Sequence, residues 1–594
     1  MNLKLLLVLA LLLQSFGISA QFAEKQLPEP SRLSSLFIGP LLKSTIHYGA
    51  APTNFDGNVI VFNHGYIDLN QLFFTNNDFY QQAYDAGYQV VFVATTRGKG
   101  MWENGKLLAQ ALDKITKKYG VQQVQIIAHS NGGKAAEVAM YKYGKYDKVS
   151  RVIALGTPYW GTYLADISQQ WWFNWLWKKT GLNEGSATST TYYCREVVRP
   201  YFDKHPNNEP EKFYLLGGSG FAKGHTLLAP AMLASGLIIY AKQGANDGVT
   251  PYSSSLRPNG HQLFKKNELG LDHVDIALGQ HVWKYIAPLL QKSSNSKPVT
   301  SSTYRQQPTY DTSNYQIVHV KAQGQTITLD KQQQAYEIAF IPRYHGSKTE
   351  LIVNDKKLRP EQFSRHEFPA KSTGIPERTL TIAGTKGLAF IKDPNGPTLM
   401  FKSDPKQQQL SLQFDRNVPS STSGTIYGII TRKATITGVP VTERPIVLNF
   451  SKKAHNKGYL LRTNELKNGI YSIHIEYRSA TLRRSLLSGF TLGKPANGIS
   501  SNTESRINSQ SLFRLKNHVI QEYLHIKSLN KSSNETQRIS ISLYDLNGRE
   551  VIQDNMSLTA RHYQPIDLGH LSSGIYLVTV RSTGRQQSFK IVKQ

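Results

Sequence analysis

Five times between residues 58 and 218 the chain returns to a short, continuously apolar run: NVIVFNHG (58–65), YQVVFVATT (88–96), VQIIAHS (124–130), RVIALGTP (151–158) and KFYLLGG (212–218). Each is rich in β-branched or aromatic residues and bounded by glycine, proline or polar residues. A strand that is apolar at consecutive positions must be buried on both faces, which is the situation of a parallel sheet. Parallel neighbours need a crossover, and the segments between these runs have helical character. KLLAQALDKITKKYG, for instance, sets Leu107, Leu108, Ala111, Leu112 and Ile115 on one helical face. The pattern predicts an α/β fold over residues 21–291, a mostly parallel sheet with helices on both faces.

The third run leads into IIAHSNGGKAAE (126–137), where Ser130 fits the pattern [GA]-x-S-x-G. The pattern alone is weak, because AKSTG around Ser372 fits it too, and a chain this long holds roughly one chance match. Context separates the two serines. The flanks of Ser372, FPAKSTGIPER, carry two prolines and no apolar strand. Ser130 follows a strand, sits among Ala128, Gly132 and Gly133, and precedes a helix continued by Ala135, Ala136 and Ala139. That is the setting of a nucleophile elbow, with Ser130 as the nucleophile.

A nucleophilic serine needs a base, an acid that orients the base, and donors for an oxyanion. In this fold the acid and then the histidine follow the serine. GANDGVTPYSSS (244–255) offers Asp247 in a turn, although an N-D-G aspartate can also be only a local cap. Asp203 and Asp272 lie in no comparable turn after a strand. Three histidines follow: His261 opens the strand HQLFKK, His281 falls in a helix, and His273 of LGLDHVDIA lies in the loop between them. His273 is therefore the expected base. For the oxyanion, Asn131 supplies one backbone N–H; Tyr66 supplies the other, after Gly65 turns the chain in NHGY. His64 reads as structural.

Four of the seven tryptophans, Trp171, Trp172, Trp175 and Trp177, fall within LADISQQWWFNWLWKK (164–179). Such a segment reads as a lid near 163–183 or an acyl-chain pocket, with Lys178 and Lys179 on its polar edge. The alternative is a buried helix packed on the sheet. Trp160, in GTPYWGT, joins them as a candidate substrate-binding residue.

The chain's first residues, MNLKLLLVLALLLQSFGISA, have the form of a secretory signal over 1–20, cut before Gln21. Cys194 is the only cysteine, so an intramolecular disulfide cannot form and core burial must supply stability. LLAPAMLASGLIIYA (227–241) is broken by Pro230 and Gly236 and is too short to span a membrane comfortably. The net charge is +28, and +19 of it (40 Lys and Arg less 21 Asp and Glu) lies beyond residue 300. No nucleic-acid motif accompanies this excess. An anionic cell-surface polysaccharide is the partner that would suit it, and a merely solvated surface is the alternative.

Beyond residue 291 the composition changes. Residues 292–314 are rich in Ser, Thr, Pro and Gln and read as a linker. Over 315–493, runs such as TITLD, GTIYGIIT and YSIHIEY suggest one or two sandwich-like β modules. A second linker, 494–512, precedes a last β module, 513–594.

Two resemblances follow. NHGY, AHSNGG, GTPYWGT, NDGVTP and LDHVD occur in the order seen in bacterial triacylglycerol lipases of the α/β-hydrolase superfamily, over about residues 55–290. The resemblance implies hydrolysis of carboxylic esters of lipids at a lipid–water interface, through an acyl-enzyme, with Ser130, Asp247 and His273 as the triad. A phospholipase, polyester depolymerase or acyltransferase would use the same triad, and an inert polysaccharide-binding adhesin is the reading of a different class. No cofactor is implied for the chemistry. A structural calcium near the histidine loop is implied as an option, and Asp275, two residues after His273, resembles one ligand. The C-terminal segment, with ISLYDLNGREV and LSSGIYLVTV, closely resembles the type IX secretion sorting domain over about residues 515–594. That implies the type IX machinery as a partner and a secreted or cell-surface location.

Overall fold

A computed structural model describes residues 23–30, 45–55, 57–65, 77–96, 99–170, 186–226 and 228–290. Further on it describes 311–321, 323–329, 337–342, 351–353, 356–358, 378–404, 409–416, 424–443, 445–448, 451–452, 459–462, 466–479 and 482–494. At the C-terminal end it describes 513–515, 519–528, 537–544, 550–559, 562–572, 574–582 and 585–593. The expected signal segment, most of both expected linkers, Tyr66, Ser372 and the four clustered tryptophans lie outside the described residues. The chain divides into two compact units, residues 1–498 and 499–594.

In the first unit, β1 (Ala23–Gln26), β2 (Thr45–Tyr48), β3 (Val59–Asn63), β4 (Gln89–Ala94), β5 (Val124–His129), β6 (Val149–Leu155), β7 (Phe213–Leu216) and β8 (His261–Gln262) form one sheet. Their order is β1-β2-β4-β3-β5-β6-β7-β8. Only β2 and β4 pair antiparallel; the other pairs are parallel. Every residue of β3, β4 and β5 is buried, which is why these strands read as unbroken apolar runs. Alternate residues feed two cores. Val59, Val61, Val91, Val93, Ile126 and Val152 meet Leu108, Leu112 and Ile115 of the helix Met101–Tyr119. Ile60, Phe62, Val90, Phe92, Ile127 and Ile153 meet Phe79, Val282 and Ile286 from the helices Phe79–Asp85 and Gly279–Leu290. No helix among the described residues is long and apolar enough to cross a membrane.

The β region after residue 311 supplies four antiparallel sheets to the same unit and packs on the hydrophobic face of the α/β part. Ala434 and Ile470 join the cluster of Tyr192 and Tyr193. Tyr315, Phe340 and Phe390 join that of Tyr163, Leu237 and Ile239. Polar links reinforce the contact: the Arg195 guanidinium donates to both oxygens of Asp311 (2.9 and 3.2 Å), and Glu196 accepts from Thr491 N and Oγ1 (2.8 and 2.6 Å).

Asp166, buried beside this junction, accepts from Thr191 N (2.7 Å) and Oγ1 (2.6 Å). Burial nevertheless raises its carboxyl from 3.8 to about 7, with the Asp311 charge adding to the rise. An acid whose folded pKa is raised gives up stability as pH climbs from its unfolded value through its folded one. We expect Asp166→Asn to lose less thermal stability than the parent between about pH 4 and pH 7, as read by calorimetry. Identical pH slopes for the two proteins would refute this assignment.

The second unit has two sheets around one core. Phe513–Leu515, Tyr523–Ser528 and Gln564–Asp567 form the smaller; Val519–Ile520, Arg585–Lys593, Gly574–Ser582, Gln537–Tyr544 and Glu550–Leu558 form the larger. Leu524 and Ile526 of one meet Ile541, Leu543, Val578, Val580 and Ile591 of the other.

Candidate active site

In open parallel sheets, chemistry gathers at the carboxyl ends of the strands. Here β5 ends at His129 and hands the chain to Ser130, whose φ is +56°. A side chain held in that left-handed conformation costs on the order of 1–3 kcal/mol, so surrounding contacts must impose it. Two are evident: Ser130 N donates to Leu155 O of β6 (2.9 Å), and Gly133 N donates to Ser130 O (3.1 Å). The helix Gly132–Glu137 follows, continuing as a π-turn over Val138–Lys142.

The structure brings three of the expected residues into one hydrogen-bonded series. Ser130 Oγ donates to His273 Nε2 (3.0 Å), and His273 Nδ1 donates to Asp247 Oδ2 (2.8 Å). All three are buried, at 2, 1 and 0 % exposure. The two readings of the N-D-G aspartate turn out to be compatible, one per carboxylate oxygen. Asp247 Oδ1 caps its own turn, accepting from Val249 N (2.9 Å) and Thr250 N (2.6 Å), which leaves Oδ2 for the imidazole. The backbones are tied as well, by His273 N donating to Asp247 O (2.7 Å). Gly156 at the end of β6 has φ +59°, and a Cβ there would stand 2.8 Å from Asp247 Oδ2 and 3.2 Å from His273 Nδ1. Only glycine leaves that hydrogen bond room.

Gly65 performs the same service on the other side. A Cβ on it would lie 2.7 Å from Asn131 N and 2.9 Å from Ser130 Oγ, so its bare Cα borders the space where an oxyanion would bind. His64 holds this turn, its Nδ1 donating to Gly65 O (2.8 Å) while Nε2 accepts from Thr95 N (3.2 Å). Asn131 is therefore placed at the site, whereas Tyr66 lies outside the described residues.

The other expected residues divide. Asp203 pairs with Arg199 (3.1 Å), and His261 packs at a tilt against Tyr214 (4.8 Å). His281 stacks instead on His225 (5.3 Å). Asp272 shapes the histidine loop, its Oδ1 accepting from Val274 N (2.9 Å) and Asp275 N (2.8 Å). Burial pushes its carboxyl up to about 6. Trp160 is buried, with its Nε1 donating to Leu256 O (3.0 Å) and its backbone N to Ser254 Oγ (3.2 Å), and it lines a pocket with Tyr163, Asp166 and Arg195. Trp171, Trp172, Trp175 and Trp177 lie outside the described residues.

Several residues around the site carry no sequence signal of their own. His129 Nε2 donates to the carbonyl of His273 (2.7 Å), and burial keeps its imidazole neutral, well below the usual histidine range. Lys134 is fully buried one turn after Ser130, and its ammonium donates to Thr188 O (3.2 Å) and Ser189 Oγ (3.0 Å). Ser189 Oγ in turn donates to Asn131 Oδ1 (3.0 Å), which steadies the residue after Ser130. Burial lowers the Lys134 ammonium and raises the nearby Cys194 thiol, which keeps that cysteine unreactive.

This geometry agrees with what the chain is similar to. Residues 66–191 match a family described as alpha/beta hydrolase of unknown function (DUF915), and residues 520–594 match the secretion system C-terminal sorting domain. The chain carries an α/β-hydrolase domain and a type IX sorting domain. The sorting domain directs it to the cell surface or the extracellular space. Among solved structures, the Bacillus licheniformis lipase BlEst2 in its propeptide form matches at TM-score 0.53 and 20 % identity, over 74 % of this chain and 96 % of that one. A match of that extent cannot be supplied by the α/β part alone, so the shared fold reaches into the β region. The mature form of BlEst2 matches at TM-score 0.38 and 28 % identity, over 41 % of this chain and 98 % of that one. The metagenomic carboxyl esterase MGS0156 matches at TM-score 0.30 and 17 % identity, over 38 % and 66 %. No curated protein matches the chain.

Proposed function

We propose that this exported α/β hydrolase is a lipase or esterase that cleaves carboxylic esters of lipids through an acyl-enzyme. The observation that carries the reading is the series Ser130 Oγ–His273 Nε2–Asp247 Oδ2 at 3.0 and 2.8 Å on a strained, positive-φ elbow. His273 takes the serine proton as Oγ attacks the ester carbonyl, then gives it to the leaving alcohol. Asp247 fixes the imidazole tautomer and supports its positive charge. The oxyanion is received by the N–H groups of Asn131 and Tyr66. Water then repeats the sequence on the acyl-enzyme and regenerates the serine.

The test is hydrolysis of p-nitrophenyl esters of increasing chain length by the full chain. No turnover at any chain length, in folded protein, would sink the reading. From the sequence alone we also propose a lid near 163–183, carrying Trp171, Trp172, Trp175 and Trp177, that opens at a lipid surface. Emulsified long-chain esters should then be cleaved faster than short soluble ones; a flat preference with no gain above the solubility limit counts against an interfacial cover.

Two further outcomes follow. Gly65→Ala places a methyl group against Asn131 N and Ser130 Oγ, and kcat should fall about 100-fold with the fold retained, as steady-state kinetics and circular dichroism will show. Removing the residues after 512 should leave the protein in the periplasm, measured by cell fractionation, since the matched sorting domain spans 520–594.

A further inference from the structure

Asp275 stands two residues beyond the proposed catalytic base, and it is fully buried at 0 % exposure. Its Oδ2 accepts from His225 N (3.0 Å) and His225 Nδ1 (2.8 Å). Its Oδ1 is buried without a hydrogen-bond partner among the described residues. The third member is His281, whose ring stacks on that of His225 at 5.3 Å and 28°. Donor atoms of His225, Asp275 and His281 all lie within 4.8 Å of one another. Beside them Asp272 Oδ2 is likewise buried and unpartnered, close enough to Gly224 that a Cβ there would sit 2.0 Å away. Neither carboxylate forms an ion pair with a lysine or arginine among the described residues; Asp275 meets only the His225 imidazole. Two buried carboxylates left this way are costly unless positive charge is supplied.

We propose that His225, Asp275 and His281 form a binding site for a zinc-class divalent cation that clips the His273 loop to the rest of the hydrolase. Two imidazoles and one carboxylate suit zinc, which binds nitrogen and oxygen at about 2.0–2.2 Å with four ligands. Calcium, the ion suggested by the position of Asp275 alone, needs about six to eight oxygen ligands, and this donor set is mostly nitrogen. Tetrahedral coordination places ligand atoms roughly 3.3 Å apart, so the observed cluster closes by side-chain rotation of about an ångström. His225 is 64 % exposed, which leaves an approach for the ion and a place for a water ligand. The three residues come from three segments: the loop after β7, the 3-10 turn Asp275–Ala277 and the first turn of the helix Gly279–Leu290. The ion positions His273 through the backbone and touches no reacting atom.

The experiment uses the full chain, stripped with chelator and then titrated with zinc, and separately with cobalt(II) or calcium. The parent should take up about one zinc per chain by elemental analysis and show the intense visible bands of four-coordinate cobalt, and its melting midpoint should rise with zinc. His225→Ala alters an exposed side chain and should fold normally, while binding zinc at least about 100-fold more weakly; His281→Gln should do the same. Parent protein that takes up no zinc overturns the proposal. So do variants that keep the parent's stoichiometry and cobalt spectrum, and so does stabilisation by calcium with zinc inert.

Discussion

Ser130→Ala should lower kcat for p-nitrophenyl ester hydrolysis about 10⁶-fold, and His273→Ala by about as much, with the double variant no worse than either. The non-additivity is the sharper part of the expectation. Ser130 Oγ and His273 Nε2 are joined at 3.0 Å and act as one proton-transfer unit, so removing either leaves the other without work. A residue of roughly 10³–10⁴-fold over water should survive in each, supplied by binding and by the oxyanion donors beside Gly65. Asp247→Asn should be milder and pH-dependent. An amide still occupies the turn capped by Oδ1, but it no longer fixes the proton on His273 Nδ1. Burst kinetics and labelling with a serine-directed phosphonate give an independent readout. Unchanged turnover in Ser130→Ala would falsify the assignment outright.

The largest loss of stability should come from Glu137→Ala. Glu137 lies seven positions after Ser130 and is fully buried, its Oε1 accepting from Arg257 Nε (2.8 Å) and its Oε2 from Arg199 Nη2 (2.5 Å). Arg257 also donates to Asn208 Oδ1 (2.6 Å) and lies over the Phe213 ring at 4.0 Å; Arg199 reaches Asp203 at 3.1 Å. Removing Glu137 leaves two guanidinium groups in the core with one partly exposed carboxylate between them. Breaking such a pair from one side costs about 3–5 kcal/mol, a large part of a typical folding free energy of about 5–15 kcal/mol. The first unit should melt roughly 10 °C lower or fail to accumulate. Glu137→Gln keeps the volume and one acceptor oxygen but turns an amide N–H toward the other guanidinium, so calorimetry should find it between the parent and alanine variants. A midpoint within about 2 °C of the parent for Glu137→Ala would show that the network adds no net stability.

The sheet was legible because β3, β4 and β5 are buried at every residue and most of β6 is buried, so apolar residues dominate these strands on both faces. Ser130, Asp247 and His273 were legible for a different reason: each lies in a turn whose small or helix-capping neighbours are required by the backbone there. What escaped notice has no such local requirement. Lys134 and Glu137 look like two charges on a solvated helix, and only the packing of residues 188–199 and Arg257 over that helix buries them. The indole of Trp160 donates to Leu256 O, ninety-six positions away, a contact that no local pattern announces. Asp272 looked like a spare acid and is the cap of the histidine loop. His225 and Asp275 are fifty positions apart, and no spacing rule connects them.

By itself the sequence determined the strand–helix alternation, the strand-to-helix turn that holds Ser130, the order of the three hydrogen-bonded site residues and the C-terminal sorting domain. These are properties of short segments, set by burial, turn geometry and motif order. Tertiary structure alone decided which charges are buried against which, how the β region is fastened to the hydrolase through Arg195–Asp311 and Glu196–Thr491, and which histidines face a carboxylate. Those pairings join residues 26 to 295 positions apart, and the electrostatic energy that selects them exists only once the fold has removed water from between them.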